Sequence, residues 1–112
     1  IIPCGSDFPI ESYNPMLGIY AAVTRMDREG NPEGGWLPEQ RMTRMEALKG
    51  FSKWAAYARF MESELGTIEP GKIADMTVLE ENPLTCPEVQ LNDIAAIMTI
   101  VDGRIRFERK VP

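Results

Sequence analysis

One carboxylate stands where a catalytic or metal-binding role is chemically reasonable. Asp7 follows the apolar residues 1–4 and lies between Gly5 and Pro9, which indicate a loop. The two β-branched residues that open the chain predict the end of a buried strand. Ligand and metal sites are built at the carboxyl ends of parallel strands, because the loops there converge. Asp7 is therefore a candidate site residue, and the alternative is an aspartate that only caps the next turn.

Other reactive side chains are few. The chain has no histidine, which removes the commonest general base, the commonest metal ligand and any Cys-His or Ser-His pair. Cys4 and Cys86 are far apart and do not have the spacing of metal ligands. We expect both to be buried free thiols. Most of the apparatus that Asp7 would need must therefore come from elsewhere.

Composition narrows the class of protein. A chain of 112 residues with 44% hydrophobic content can bury one ordinary core. Its formal net charge of −5 disfavours nucleic acid and anionic membranes as partners. No apolar run approaches the roughly 20 residues that span a bilayer, and the start lacks the basic region of a signal peptide. We expect a soluble, cytoplasmic protein.

Two helices are predicted in the first half of the chain. Asn14 followed by Pro15 indicates a helix start, and the breaker-rich residues 27–32 indicate its end. Thr43 and Glu46 form a capping box that opens a core-facing helix of about four to five turns. Its apolar stripe consists of Leu48, Phe51, Ala55 and Ala58, with Trp54 beside it.

The segment between the helices is predicted to be a loop. Residues 33–38 are rich in glycine and proline, and Trp36 is expected to pin them to the fold. Contact with a substrate is the alternative role, because loops carry function disproportionately. Arg25 and Arg41 flank the loop and are interpreted as solvated or helix-end arginines, and the alternative is that one of them reaches the mouth of the site.

A β-rich region follows Gly66. Residues 69–72 have proline and glycine at the centre of a type II turn, which predicts a tight hairpin with a strand over residues 73–79. Asp75 lies inside that strand and is expected to be structural, paired with backbone or arginine.

A second hairpin is predicted near the end of the chain. After a partly helical connection over residues 86–93, residues 94–101 are strand-like, and Asp102-Gly103 is a strong turn signal. Ile105 and Phe107 then alternate with polar residues and predict one dry face. Residues 110–112 are expected to be the true C-terminus.

Taken together, these segments resemble the C-terminal end of the amidohydrolase superfamily, closest to its YtcJ-like branch of metal-dependent hydrolases. Residues 66–75 are the most specific part, and the ordered set covers nearly the whole chain. The matching segments are Gly5-Ser6-Asp7 with Pro9, 15–25 (PMLGIYAAVTR), 38–41 (PEQR), 46–48 (EAL), 55–58 (AAYA), 66–75 (GTIEPGKIAD) and 101–104 (VDGR).

The resemblance implies that the chain is an α+β fragment. Residues 1–62 would be the end of a TIM-type (β/α)8 barrel, with residues 1–4 as its last strand, a metal-site loop and the closing helices. Residues 63–112 would be the C-terminal strands of a small composite β-sandwich that is assembled from both ends of the polypeptide. A chain that begins in this way, without methionine, is expected to be a piece of a longer protein.

The resemblance assigns both site roles to Asp7. It would be a ligand of a divalent metal, with zinc expected, and the general base that takes a proton from the metal-activated water and passes it to the departing amine. The reaction implied is hydrolysis of a C–N bond in an amide or cyclic amide of a small molecule. The histidine ligands of the family have no counterpart here. We therefore expect the isolated chain to be inactive and to hold no metal tightly.

A second function class stays open, a binding or assembly module that has kept a hydrolase-like tail. Residues 66–109 would lack the N-terminal strands that complete the sandwich. Exposed strand edges predict pairing with those missing strands, or a homodimer or strand-swapped assembly.

Overall fold

Helices and an antiparallel sheet follow one another along the chain in a computed structural model that describes residues 1–110. The predicted α+β class is confirmed, whereas residues 111 and 112 of the predicted C-terminus lie outside the described residues. The elements are α1 (Pro15–Thr24), α2 (Arg44–Gly50), α3 (Lys53–Ala58), β1 (Met76–Leu79), β2 (Ala96–Val101) and β3 (Arg104–Glu108), with short 3-10 helices at Pro38–Gln40 and Glu88–Asp93.

Helix α1 begins where the sequence predicts. The Asn14 side chain accepts a hydrogen bond from the Met16 N–H at 3.0 Å, and Pro15 occupies the first turn. The helix ends earlier than residues 27–32, because Arg25 adopts a left-handed conformation with φ 56° and its N–H donates to the Ala21 carbonyl at 2.8 Å. A left-handed residue at this position stops the helix without glycine.

The capping box is confirmed, but the single long helix that it was predicted to open is wrong. Thr43 and Glu46 exchange the two expected hydrogen bonds. The chain then divides into α2 and α3 at Ser52, whose φ of −136° and ψ of −91° are not helical. The Gly50 carbonyl accepts from the Cys4 N–H at 2.9 Å. It is therefore engaged outside the helix, and the ladder is interrupted.

The opening residues do not form the predicted strand within the described structure. Residues 1–6 have no regular secondary structure, and Ile1 and Ile2 are exposed. A strand is defined by hydrogen bonds to a neighbouring strand, and residues 1–4 have none beside them here. Their assignment as the last barrel strand stays a prediction.

The sheet has the order β1-β2-β3, with both pairs antiparallel. The Asp102-Gly103 turn joins β2 to β3 and is confirmed, since both residues have positive φ (50° and 71°). The 69–72 turn also forms, with Gly71 at φ 91° and the Lys72 N–H donating to the Glu69 carbonyl. The predicted hairpin across it is wrong, because no strand precedes the turn and β1 begins only at Met76.

The core joins α1 to the connection between β1 and β2. Leu91 and Ala47 are completely buried. One hydrophobic cluster contains residues from both sides of position 62. The division into residues 1–62 and 63–112 stays a prediction. The cluster consists of Met16, Ile19, Tyr20, Val23, Ala47, Cys86, Leu91 and Ile94.

The predicted dry face of β3 is open to solvent. Ile105 is 57% exposed and Phe107 is 48% exposed, so the described residues cover each side chain only in part. Ile105 pairs with Ile100 and Phe107 with Thr99, and the register shift between the two pairs interrupts the predicted alternation. Alternation alone defines two faces of a strand, and a face becomes dry only where another layer packs on it.

Among the described residues, no helix has both the length and the hydropathy needed to cross a bilayer.

Candidate functional site

Asp7 lies in a tight turn over residues 7–10, within the loop that precedes α1. Its φ is 48°, a left-handed conformation that aspartate tolerates better than most residues. The Asp7 carbonyl accepts from the Ile10 N–H at 2.9 Å, and the Ser6 carbonyl accepts from the Glu11 N–H at 3.2 Å. The turn is therefore closed by backbone groups.

The Asp7 carboxylate is left free by this arrangement. The turn hydrogen bond goes to its main-chain carbonyl, and the side chain is exposed. Within residues 1–110 no hydrogen bond or ion pair to this carboxylate is formed, so the alternative of a side-chain turn cap is not what the geometry shows. An exposed, unpaired carboxylate can accept a proton or bind a cation.

The described residues place one free carboxylate at this position and no complete metal site. Over residues 1–110, no group of three or more His, Cys, Asp or Glu side chains is placed to hold a metal ion. A carboxylate can be one ligand of a divalent cation. It cannot form the site alone, because structural and catalytic zinc sites take three or four protein ligands. The remaining ligands would have to come from residues outside this chain.

A cleft of about 510 Å³ runs beside α1. Its floor is formed by the helix face opposite the core, with Leu17, Gly18 and Ala21, and by the ring of Phe51. Gly18 allows this ring to lie against the helix, because a side chain there would overlap the ring. Asp7 does not line the cleft. The polar rim consists of Glu11, Asp27, Arg28 and Glu29 together with nearby serines and Asn14.

The loop over residues 33–38 is anchored by Arg25 more than by burial of an aromatic ring. Trp36 is 63% exposed. The Arg25 Nε donates to the Trp36 carbonyl at 2.6 Å, the Trp36 N–H donates to the Arg25 carbonyl at 2.9 Å, and the guanidinium lies 4.9 Å from the ring centroid. Arg41 also donates to the Gly34 carbonyl. These contacts explain both arginines structurally.

Trp36 contacts Arg25, the residue that follows α1, and is not among the residues that line the cleft beside α1. The alternative role of the Trp36 loop in substrate contact stays a prediction.

Asp75 has the structural role that the sequence indicates, although it lies just before β1 and is exposed. Its Oδ1 accepts from the Asp102 N–H at 2.8 Å, and the Gly103 N–H donates to the Ala74 carbonyl at 3.0 Å. The carboxylate thus holds the Asp102-Gly103 turn beside the start of the sheet.

Lys72 is an organising residue that the sequence reasoning missed. Its Nζ donates to the Glu62 carbonyl at 2.7 Å and to the Thr67 hydroxyl at 2.6 Å, and it pairs with Glu69 at 3.0 Å. A hydrogen bond from the Thr67 hydroxyl, together with Lys72, lowers the pKa of the Glu69 carboxyl. A lysine directly after a proline-glycine turn was the available signal, since the turn folds it back over the preceding residues.

Neither cysteine forms part of a site. Both are free thiols, with Cys86 buried as predicted and Cys4 only half-buried.

Arg44 at the start of α2 donates to the Pro83 carbonyl at 2.9 Å and to the Cys86 carbonyl at 2.6 Å. This guanidinium attaches the first half of the chain to the second.

Comparison with known proteins adds a family context. Residues 1–107 match the model of a family described as the amidohydrolase family. The N-substituted formamide deformylase of Arthrobacter pascens is 34% identical over 108 residues, which are 96% of this chain and 19% of that protein. No solved structure matches the chain.

Two further relatives are named as an amidohydrolase and a deaminase. YtcJ of Bacillus subtilis strain 168, which its name places among the amidohydrolases, is 31% identical over 105 residues, 94% of this chain and 20% of its own. The 5-methylthioadenosine/S-adenosylhomocysteine deaminase of Symbiobacterium thermophilum is 41% identical over 63 residues, 48% of this chain and 14% of its own. The chain spans about a fifth of the length of the first two relatives.

Proposed function

Because the chain belongs to the amidohydrolase family and matches its YtcJ-like C-terminal segment, we propose that it supplies a metal-site carboxylate, Asp7, to a hydrolase of C–N bonds. The observation that carries the proposal is the free Asp7 carboxylate, on a turn in the loop before α1 that is closed only by backbone groups. The reaction class is also supported by the names of two relatives, a formamide deformylase and a deaminase. The substrate proposed is an amide or cyclic amide.

The proposed enzyme is longer than this chain. The other metal ligands, histidines above all, would come from a preceding (β/α)8 barrel in which residues 1–4 form the last strand. Zinc is the proposed ion, because it takes histidine and carboxylate ligands together. The 112-residue chain alone is proposed to be inactive, since one carboxylate makes neither a metal site nor a substrate pocket.

Asp7 would perform the proton transfers. A divalent metal, when bound, polarises the scissile carbonyl and makes water more acidic. Within hydrogen-bond reach of the attacking water, the Asp7 carboxylate takes up its proton as the C–O bond forms. The protonated Asp7 then gives this proton to the departing nitrogen, and the C–N bond breaks. The turn fixes the Asp7 backbone, and the side chain is free to rotate between the two transfers.

The proposal is tested by Asp7→Asn in the full-length gene product. We expect the metal content, measured by mass spectrometry of the purified protein, to fall below one equivalent and amide hydrolysis to fall by about 10²-fold or more, since a general base contributes on that order. Asp93→Asn is the matched control, an exposed aspartate away from the loop, and it should change neither quantity. Full metal content and full activity in Asp7→Asn would refute the proposal.

A second proposal concerns partners. The open face of β3 and the free edges of β1 and β3 within the described residues support pairing with strands from an earlier part of the same protein, or with a second copy of the chain. The stand-alone binding module remains the competing function for these surfaces. A gene product without barrel or metal would favour the module.

A further inference from the structure

Gly50, the last residue of α2, is buried and lies against the residues that lead to Asp7. Its carbonyl accepts from the Cys4 N–H at 2.9 Å. A Cβ at Gly50 would lie 2.7 Å from the Cys4 Sγ and 3.2 Å from the Ile2 carbonyl oxygen. Nonbonded heavy atoms are normally about 3.5–4.0 Å apart. Residues 2–4 therefore approach α2 more closely than a side chain at position 50 would allow.

The backbone conformation of Gly50 does not explain why this residue is glycine. Gly50 is helical and is not one of the glycines with positive φ. Alanine forms helices better than glycine does, so local propensity favours a side chain there. Close approach of a neighbouring segment is the other use of glycine. Gly50 thus sets the separation between α2 and residues 2–4.

The same end of α2 is also fixed to α1. Phe51, which follows Gly50, places its ring against Gly18, where a side chain would overlap the ring. Ala47, within α2, is completely buried in the core cluster that contains the buried residues of α1. Because close-packed interiors resist displacement, α2 cannot easily move away from residues 2–4. A side chain at position 50 would therefore displace residues 2–4 rather than the helix.

A displacement of residues 2–4 reaches Asp7 directly. Only Gly5 and Ser6 separate Cys4 from Asp7, and the Ser6 carbonyl is tied to the Glu11 N–H at 3.2 Å. Metal ligands keep their distances to within about 0.2 Å, and the overlap at position 50 exceeds this tolerance. Side chains occupy discrete rotamers, so rotation of the carboxylate does not absorb a displaced main chain.

We propose that Gly50 is a positioning residue for Asp7. The absence of a side chain at position 50 lets residues 2–4 lie where the Asp7 carboxylate reaches the metal ion. Gly50 acts through these residues and not by contact with the metal or the substrate. The inference rests on the proposed function, since it concerns the role of Asp7 as a metal ligand.

Gly50→Ala in the full-length gene product tests the inference. We expect the Kd for zinc, measured by competition with a chelator of known affinity, to rise about tenfold or more, as it does when residues that orient metal ligands are changed. Cys4→Ala removes the overlapping Sγ and keeps the main-chain hydrogen bond. Combined with Gly50→Ala, it should return the Kd to within about threefold of that of the unmodified protein. Cys4→Ala alone should leave the Kd unchanged.

Gly66→Ala is the matched control. A Cβ there would lie 2.8 Å from the Ala56 Cβ, which is a comparable overlap against α3. The variant should lower the unfolding midpoint in denaturant and leave the Kd for zinc unchanged. Equal weakening of zinc binding in Gly50→Ala and Gly66→Ala would show a general loss of stability and would refute the inference.

The variant Asp7→Asn, measured in the same assay, separates the two proposals. If Asp7→Asn weakens zinc binding and Gly50→Ala does not, the positioning role is refuted and the proposed function stands. If Asp7→Asn binds zinc as the unmodified protein does, the proposed function is refuted and the positioning role with it. If Gly50→Ala alone does not fold, the double variant with Cys4→Ala decides, and a weakened Kd in it would refute the inference.

Discussion

Two glycines in the segment 66–75 have different physical reasons for being glycine. Both have positive φ, 90° at Gly66 and 91° at Gly71. A Cβ at Gly66 would lie 2.8 Å from the Ala56 Cβ and 2.9 Å from the Lys53 Cα, whereas a Cβ at Gly71 would meet no atom within 4 Å. Gly66 therefore permits close packing on α3, and Gly71 only permits the turn.

This contrast gives a prediction for the free energy of unfolding. Gly71→Ala should lower it by about 1 kcal/mol, the cost of a left-handed alanine. Gly66→Ala should lower it by about 2–4 kcal/mol, because steric overlap adds to the same backbone cost. Denaturant unfolding of both variants measures the difference, and equal losses would show that packing at Gly66 is unimportant.

At the scale of the element, α2 depends on a charged cap. The Thr43 N–H and hydroxyl both donate to the Glu46 carboxylate at 2.8 Å. The backbone hydrogen bond from Thr43 is the largest cause, followed by its hydroxyl, of the lowered pKa of Glu46. A carboxyl whose pKa is lowered by folding stabilises the fold when ionised, above its usual pKa of 4.5. The stabilisation is lost as the pH falls through the lowered pKa.

The corresponding prediction concerns Glu46→Gln. Its unfolding midpoint should be below that of the unmodified chain at pH 7. The difference should shrink as the pH falls from 4.5 through the lowered pKa of the folded Glu46 carboxyl, because the carboxylate is protonated over that range. Thermal unfolding followed by circular dichroism between pH 3 and pH 7 measures both midpoints.

Glu33→Gln is the control for this experiment, because Glu33 is exposed in a loop. Its midpoint should follow that of the unmodified chain at every pH. A constant difference between Glu46→Gln and the unmodified chain across the pH range would contradict a role for the charge in the cap.

At the scale of the whole molecule, the two halves of the chain differ in how well they are covered. The core joins α1, α2 and the second 3-10 helix, and Arg44 ties them together through two carbonyls. The sheet, by contrast, leaves Ile105 and Phe107 exposed and has two open edges among the described strands. Apolar faces and free edges favour association.

We therefore expect the chain by itself to associate as its concentration rises. Ile105→Glu combined with Phe107→Glu should reduce the weight-average mass, because charges on β3 oppose pairing. Ile68→Glu is the control, since Ile68 is exposed but lies outside the sheet. Size-exclusion chromatography with light scattering measures the mass. A clean monomer of the unmodified chain at all concentrations would refute the expectation.

The helix starts and one hairpin turn of this protein follow from its sequence, because they depend on local chemistry. Asn14 and the Thr43 capping box set helix starts, and Asp102-Gly103 set a hairpin, because each acts through hydrogen bonds or φ values a few residues away. Asp7 is a candidate site residue on the same local grounds, and its role stays a prediction.

Tertiary structure decided what depended on distant neighbours. The Cys4–Gly50 hydrogen bond accompanies the break between α2 and α3, and residues 1–4 lack the partners that a strand requires. The alternation in β3 marked two faces, but only packing can decide whether either is dry. Sequence fixes local conformation through short-range contacts, whereas burial and pairing are properties of groups that meet only when the chain has folded.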